Sequence, residues 1–162
     1  MSSDFAADTV LSHYRIVSKI GEGGMGAVYL AHDTRLNRDI ALKVLPVEFA
    51  ANQDRMRRFV QEAQAAAALN HPHIAQVYEI GEALGAHYIA MELVAGVTLR
   101  DRIHQERFDL AKVLKYLQQA AEGLSKAHAA GIAHRDLKPD NIMVSGDGFA
   151  KERPSSVKKT LT

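Results

Sequence analysis

The sequence predicts an α+β fold: a five-stranded antiparallel sheet with one main helix inserted, then the beginning of a helical lobe. Two observations carry this. Between residues 14 and 93, short apolar runs alternate with polar residues and break at glycine and asparagine turns, the period-two pattern of strands. After Gly96 the apolar residues recur at steps of three and four, the period of helices.

Taken in order, residues 1–13 read as a flexible leader, small and polar with Asp4 and Asp8. Tyr14, Ile16 and Ile20 then alternate with polar residues and run into a glycine cluster. Val28, Tyr29 and Leu30 form a second strand, and Asp39 to Leu45 a third that ends at Pro46. Asp33, Asn37 and Arg38 supply turn chemistry between them. Asn52 or Asp54 caps a helix to Leu69 whose apolar face holds Met56, Phe59, Ala63 and Ala66. Strands near 74–81 and 86–93 follow, with Gly85 at the turn. Thr98 caps a short helix to Gln105, and Asp109 caps a longer one. In the latter, Leu110, Val113, Leu114, Leu117, Ala120, Ala121, Leu124 and Ala127 make an apolar stripe, and Gly131 stands where a C-terminal cap belongs. Ser145 to Gly148 reads as a hairpin turn between two short strands. Residues 152–162, basic and rich in Ser and Thr, read as a disordered tail.

Composition excludes several classes. A net charge of +1 gives no general attraction to nucleic acid or anionic membrane. The absence of cysteine excludes disulfides and thiolate metal sites and fits a reducing, cytoplasmic setting. No apolar run approaches the roughly 20 residues of a membrane helix. His71 and His73 invite a metal reading, which is the minor one here.

Three motifs carry chemistry. Gly21-Glu22-Gly23-Gly24-Met25-Gly26-Ala27-Val28 matches G-x-G-x-x-G-x-V. Glycines let backbone N–H groups approach phosphate oxygens with no Cβ in the way. By itself the match is equally a glycine-rich turn. Lys43 lies inside the apolar strand Ala41-Leu42-Lys43-Val44, where a charge is costly unless paired. A hairpin returns it beneath the glycines, and Glu62 on the next helix is its candidate partner. Solvated positions for Lys43 and Glu62 are the plain alternative. The third motif is His134-Arg135-Asp136-Leu137-Lys138-Pro139-Asp140-Asn141.

In order and spacing these motifs resemble the protein kinase family, and residues 14–151 resemble its bacterial Ser/Thr members, with 14–93 as the N-terminal lobe and 97–151 as the start of the C-terminal lobe. The resemblance implies ATP and Mg²⁺ as cofactors and a protein hydroxyl as acceptor. It implies that Asp136 is the catalytic base, Lys138 neutralises the transferring phosphoryl group, and Asn141 is a metal ligand. Lys43 would bind phosphates with Glu62 holding it, and the glycines Gly21, Gly23 and Gly26 would cradle them. Met91, Glu92 and Val94 resemble the hinge that bonds adenine, with Val28, Ala41 and Met143 around the purine. Val28, Ala41, Met91 and Met143 can equally be core.

The family's D-F-G motif belongs near Pro154, where the chain reads Glu152-Arg153-Pro154-Ser155. Asp147-Gly148-Phe149 has the wrong order and comes too early. The expectation is therefore a kinase truncated after its catalytic loop, whose long helix at 110–130 exposes an apolar face open to self-association. Three readings stand side by side: a weak Ser/Thr kinase, a nucleotide- or protein-binding pseudokinase-like module, and a fragment without activity.

Overall fold

The computed structural model describes residues 4–23, 26–105, 109–132 and 137–153. In chain order its elements are strands β1 (Val10–Leu11), β2 (Tyr14–Gly23), β3 (Gly26–Asp33) and β4 (Arg38–Val44), helices α1 (Val47–Ala50) and α2 (Gln53–Ala67), strands β5 (Val77–Ala83), β6 (Ala86–Met91) and β7 (Gly96–Thr98), and helices α3 (Leu99–Gln105) and α4 (Leu110–Ala129). A 3₁₀ turn at Pro139–Asn141 and strands β8 (Ile142–Ser145) and β9 (Ala150–Glu152) complete them. The chain divides into two units, Met1–Ala63 with Val77–Leu93, and Gln64–Gln76 with Val94–Thr162.

The first unit is an antiparallel sheet in the order β1-β2-β3-β4-β6-β5. Its five long strands are those the sequence predicts. The sixth, β1, comes from the segment expected to be a flexible leader, and this corrects that expectation for residues 4–13. Leu11 is fully buried, the Asp8 N–H donates to the Ile16 carbonyl at 2.8 Å, and the Ile16 N–H donates to Thr9 at 2.8 Å. Phe5 packs on the core and meets Tyr29 edge-on. Scattered apolar residues in a polar segment show no period, so the pattern hides the strand.

Alternation decides what each face does. Ala27, Tyr29 and Ala31 of β3, Ile40, Leu42 and Val44 of β4, and Tyr88 and Ala90 of β6 pack with Leu11, Tyr14 and Ile16 in one core. The residues between them, Val28, Leu30, Ala41, Lys43, Ile89 and Met91, therefore lie on the opposite face. Asn52 caps α2, its side chain accepting from the Arg55 N–H at 3.0 Å. Phe59, Ala63 and Ala66 are buried, as their spacing predicts.

In the second unit Asp109 caps α4, accepting from the N–H of Ala111 and Lys112. Gly131, at φ +79°, ends the helix. The Gly131 N–H reaches the His128 carbonyl, the Ile132 N–H reaches Ala127, and Ile132 packs against a cluster containing Ala127. The left-handed turn satisfies carbonyls that the helix leaves open. The apolar stripe of α4 is covered in part and, as expected, exposed in part. Tyr116, Gln119, Ala120, Gly123 and Ala127 are buried, whereas Leu110, Leu114 and Leu117 are exposed. Polar Gln119 belongs inside because its Oε1 accepts the N–H of fully buried Ala150 at 2.7 Å. The His73 ring Nδ1 donates to the carbonyl of the same residue at 2.8 Å, so two side chains satisfy the backbone of β9. Residues 71–76 are irregular rather than the start of a strand. There the His73 N–H bonds the His71 ring and the Gln76 amide bonds the Ala67 carbonyl, which diverts the chain from a ladder.

Candidate active site

The residues expected to hold a nucleotide divide between the two units. In the first, β2 and β3 form the glycine hairpin, closed by Gly23 opposite Gly26, with Gly24 and Met25 outside the described residues. Gly26 has φ +106°, and a Cβ there would stand 1.9 Å from the Val44 carbonyl oxygen. The fold itself demands this glycine. Gly21 differs: an added Cβ would meet only Val28 Cβ, at an ordinary 3.9 Å. Packing alone therefore does not demand glycine at 21.

Gly21 is the cross-strand partner of Val28, Val28 of Lys43, and Ala41 of Met91. These five therefore share the sheet face opposite the Tyr29 core. Ala41 and Met91 are buried, while Val28 and Lys43 are half-buried. Glu62 is exposed on α2 beside buried Ala63, and Glu92 follows β6, half-buried.

In the second unit, half-buried Val94 precedes β7. Thr98 of β7 pairs with Met143 of β8, and Ile142 and Val144 on either side of Met143 are buried. Met143 thus faces away from the core formed by Leu99, Tyr116, Ala120, Ile142, Val144 and Ala150. Lys138 stands at the start of the 3₁₀ turn, and the Asn141 N–H donates to its carbonyl at 2.9 Å. Asp136 lies outside the described residues.

Three contacts that hold this turn have no local sequence signal. Arg100 Nε donates to Asp140 Oδ1 at 2.7 Å, bridging 40 positions. This hydrogen bond, together with the charges of Arg100, Lys138 and Arg153, keeps the Asp140 carboxyl below its ordinary range. The Arg153 guanidinium donates to the Asp140 carbonyl, and the Arg153 N–H donates to the Asn141 carbonyl at 2.9 Å. Both residues stand on segments whose register sequence periodicity does not encode. His71 is partly buried, and that burial, followed by the neighbouring His73, lowers its pKa and favours the neutral ring. Among the described residues no group of three His, Asp or Glu side chains is arranged to hold a metal.

The profile of the Protein kinase domain family matches residues 14–152. The chain is 41% identical over 155 residues to the probable serine/threonine-protein kinase pknA2 of Bifidobacterium longum, covering 93% of this chain and 20% of that protein. It is 45% identical over 143 residues to the serine/threonine-protein kinase PknB of Mycobacterium tuberculosis, covering 85% of this chain and 23% of that one. Its fold matches the crystal structure of the Mycobacterium tuberculosis PknI kinase domain with a TM-score of 0.84 at 30% identity, covering 96% of this chain and 64% of that one. The chain thus spans about a fifth to a quarter of the length of these curated relatives. Its sheet, its glycine hairpin and these matches together show that the chain belongs to the protein kinase family, among the bacterial Ser/Thr kinases.

Proposed function

We propose that this chain binds ATP and retains the base and one metal ligand of a Ser/Thr protein kinase, with phosphotransfer at or near background. The observation that carries the nucleotide reading is the shared face of Gly21, Val28, Ala41, Lys43 and Met91. Apolar Val28, Ala41 and Met91 suit a purine. The backbone of Glu92 and Val94 offers it hydrogen bonds. Gly21 and Gly23 leave room for phosphate oxygens, and Lys43 supplies a cation half-shielded from water, with Glu62 as its proposed partner. Gly26 serves the same loop by letting it pack under Val44.

Asn141 offers an amide oxygen, a hard donor of the type Mg²⁺ takes, and phosphate oxygens and water would complete the set. When bound, Mg²⁺ would neutralise phosphate charge. Lys138 adds a second positive charge beside it, and Asp136 is the proposed acceptor of the substrate hydroxyl proton. The acceptor is a protein Ser or Thr.

A second reading, nucleotide binding without turnover, is supported by Glu152-Arg153-Pro154-Ser155 in the place of the family's D-F-G motif. Arg153, beside that place, brings a cation to the backbone of the Asn141 turn. Exposed Leu110, Leu114 and Leu117 on α4 further support self-association. Among the described residues no helix is long and apolar enough to cross a membrane, and a cytoplasmic location is proposed. Titration calorimetry with ATP and Mg²⁺ tests the central reading: saturable binding supports it, and no heat or displacement at millimolar ATP removes it.

A further inference from the structure

Lys19 Nζ lies 2.9 Å from Asp4 Oδ1 and 2.7 Å from Glu22 Oε2. Glu22 is the charged residue of the glycine-rich hairpin, and Asp4 belongs to the N-terminal segment. One lysine thus joins the two.

The juxtaposition is built by the backbone. Side chains three apart on a regular strand point to opposite faces. Lys19 pairs with Tyr29, however, whereas Gly21 pairs with Val28 and Glu22 with Ala27, so Ile20 is an extra residue in β2. This bulge turns Glu22 to the face of Lys19. The same face carries Tyr29, and Tyr29 Oη accepts the Phe5 N–H at 3.2 Å and lies 3.5 Å from Asp4 Oδ1. Phe5 packs on the core and meets the Tyr29 ring at 6.2 Å. Phe5 therefore anchors the segment, Asp4 meets Lys19, and Lys19 meets the hairpin. Both carboxylates also raise the Lys19 pKa, Glu22 most, so the lysine stays charged.

We propose that Lys19 is a positioning residue for the phosphate-binding hairpin, and that the Asp4–Phe5 segment is a strap that acts on the hairpin through it. The consequence for nucleotide rests on the reading above and has two parts. The tether restricts a glycine-rich backbone that otherwise loses much conformational freedom on binding phosphate. Lys19 also neutralises Glu22, whose charge would repel an incoming triphosphate. A change in the N-terminal segment is then felt at the hairpin without any contact to nucleotide.

The test is hydrogen exchange on the nucleotide-free chain, followed across residues 21–28, with ATP titration in parallel. Lys19→Ala and Asp4→Asn should speed exchange across the hairpin, and Phe5→Ala should do so more strongly. Lys19→Arg should restore wild-type exchange. Surface pairs of this kind convert to roughly two- to five-fold in an equilibrium, so ATP affinity should weaken by that factor in Lys19→Ala and not in Lys19→Arg. The melting temperature of Lys19→Ala should stay unchanged, which separates positioning from loss of fold. Asp4→Asn leaves Phe5 in place and decides the matter if Phe5→Ala disturbs the sheet. Exchange across residues 21–28 that is identical in wild type, Lys19→Ala and Asp4→Asn overturns the strap. Absence of ATP binding by the wild type counts against the nucleotide reading alone, since the exchange comparison needs no nucleotide.

Discussion

Val28 and Lys43 stand directly opposite each other across β3 and β4, so a glycine-hairpin residue and the strand lysine share one face of the sheet. Tyr29 and Leu42, one step along, point the other way into the core. A shift of register by one residue would exchange the two sets. The buried tyrosine, leucine and isoleucine side chains therefore hold Lys43 in place.

The first prediction concerns that lysine. Lys43→Ala should weaken ATP binding by about tenfold or more, since a hydrogen bond to a charged group contributes about 1.5–3 kcal/mol. Lys43 is only half-buried and outside the core cluster, so thermal stability should change little. Calorimetry giving equal affinities for the variant and the wild type would sink the assignment.

Gly26 tests the hairpin from the side of the fold. An alanine Cβ would collide with the Val44 carbonyl at a φ of +106°. Overpacking and backbone strain each cost about 1–3 kcal/mol, so Gly26→Ala should lower unfolding free energy by about 2–6 kcal/mol in urea. Gly21→Ala, which meets no close atom, should leave stability nearly unchanged and weaken only nucleotide binding. Equal stability of the two variants would contradict the steric account.

The markers on which the proposed site rests are local. Glycines, a lysine in an apolar strand and the run from His134 to Asn141 stand in the sequence with recognisable spacing. Capping was equally readable, since Asn52, Thr98 and Asp109 each bond an N–H two or three residues on. Long-range contacts were not. Nothing near Arg100 announces Asp140, and nothing near Gln119 announces the Ala150 N–H. The leucines of α4 are exposed, as expected of that helix; what helical spacing does not show is which residues of the stripe are covered, here Ala120 and Ala127. The Lys19–Glu22 pair depends on a bulge that no residue type marks.

Asp33 carries a pH dependence with a defined sign. Burial alone would raise its pKa, but N–H groups of Leu36 and Arg35, at 3.0 and 2.9 Å, with His13 and Arg38 nearby, lower it overall. A depressed folded pKa contributes stability above the unfolded value, about 3.9, and that contribution is lost as pH falls through the lower folded value. Asp33→Asn should therefore cost about 1–2 kcal/mol at pH 7, the net worth of charge-assisted bonds, and the two proteins should converge as pH falls below the unfolded value. Denaturant melts at several pH values measure this. A difference that grows on acidification would reverse the sign.

The exposed leucines of α4 bear on assembly. Leu110, Leu114 and Leu117 are 57%, 55% and 48% exposed and fall on one stripe of the helix. Such a stripe favours association in water. Sedimentation velocity should show self-association that weakens in Leu114→Gln with Leu117→Gln. Both positions are outside the core, so the paired change should alter folding free energy by only about 1 kcal/mol or less. A monomeric wild type at high protein concentration would remove the proposal.

The last prediction is catalytic. Phosphoryl transfer depends on positioning and charge neutralisation, of which the proposed roles of Lys138 and Asn141 would supply part. At the place of the family's D-F-G carboxylate the chain has Arg153-Pro154, and the guanidinium of Arg153 is committed to the Asp140 carbonyl. Loss of one preorganised electrostatic group commonly costs about 10²–10³ in rate. Here a carboxylate is replaced beside a cation, so charge neutralisation and metal binding suffer together. Radiolabelled ATP, offered with a basic protein substrate and with the chain alone, should show transfer at or near background, and Asp136→Asn should abolish any remainder. Arg153→Met should not by itself restore activity, because removing the cation returns no carboxylate. Robust turnover that vanishes in Asp136→Asn would establish Asp136 as the base and show that the missing carboxylate is dispensable in this chain.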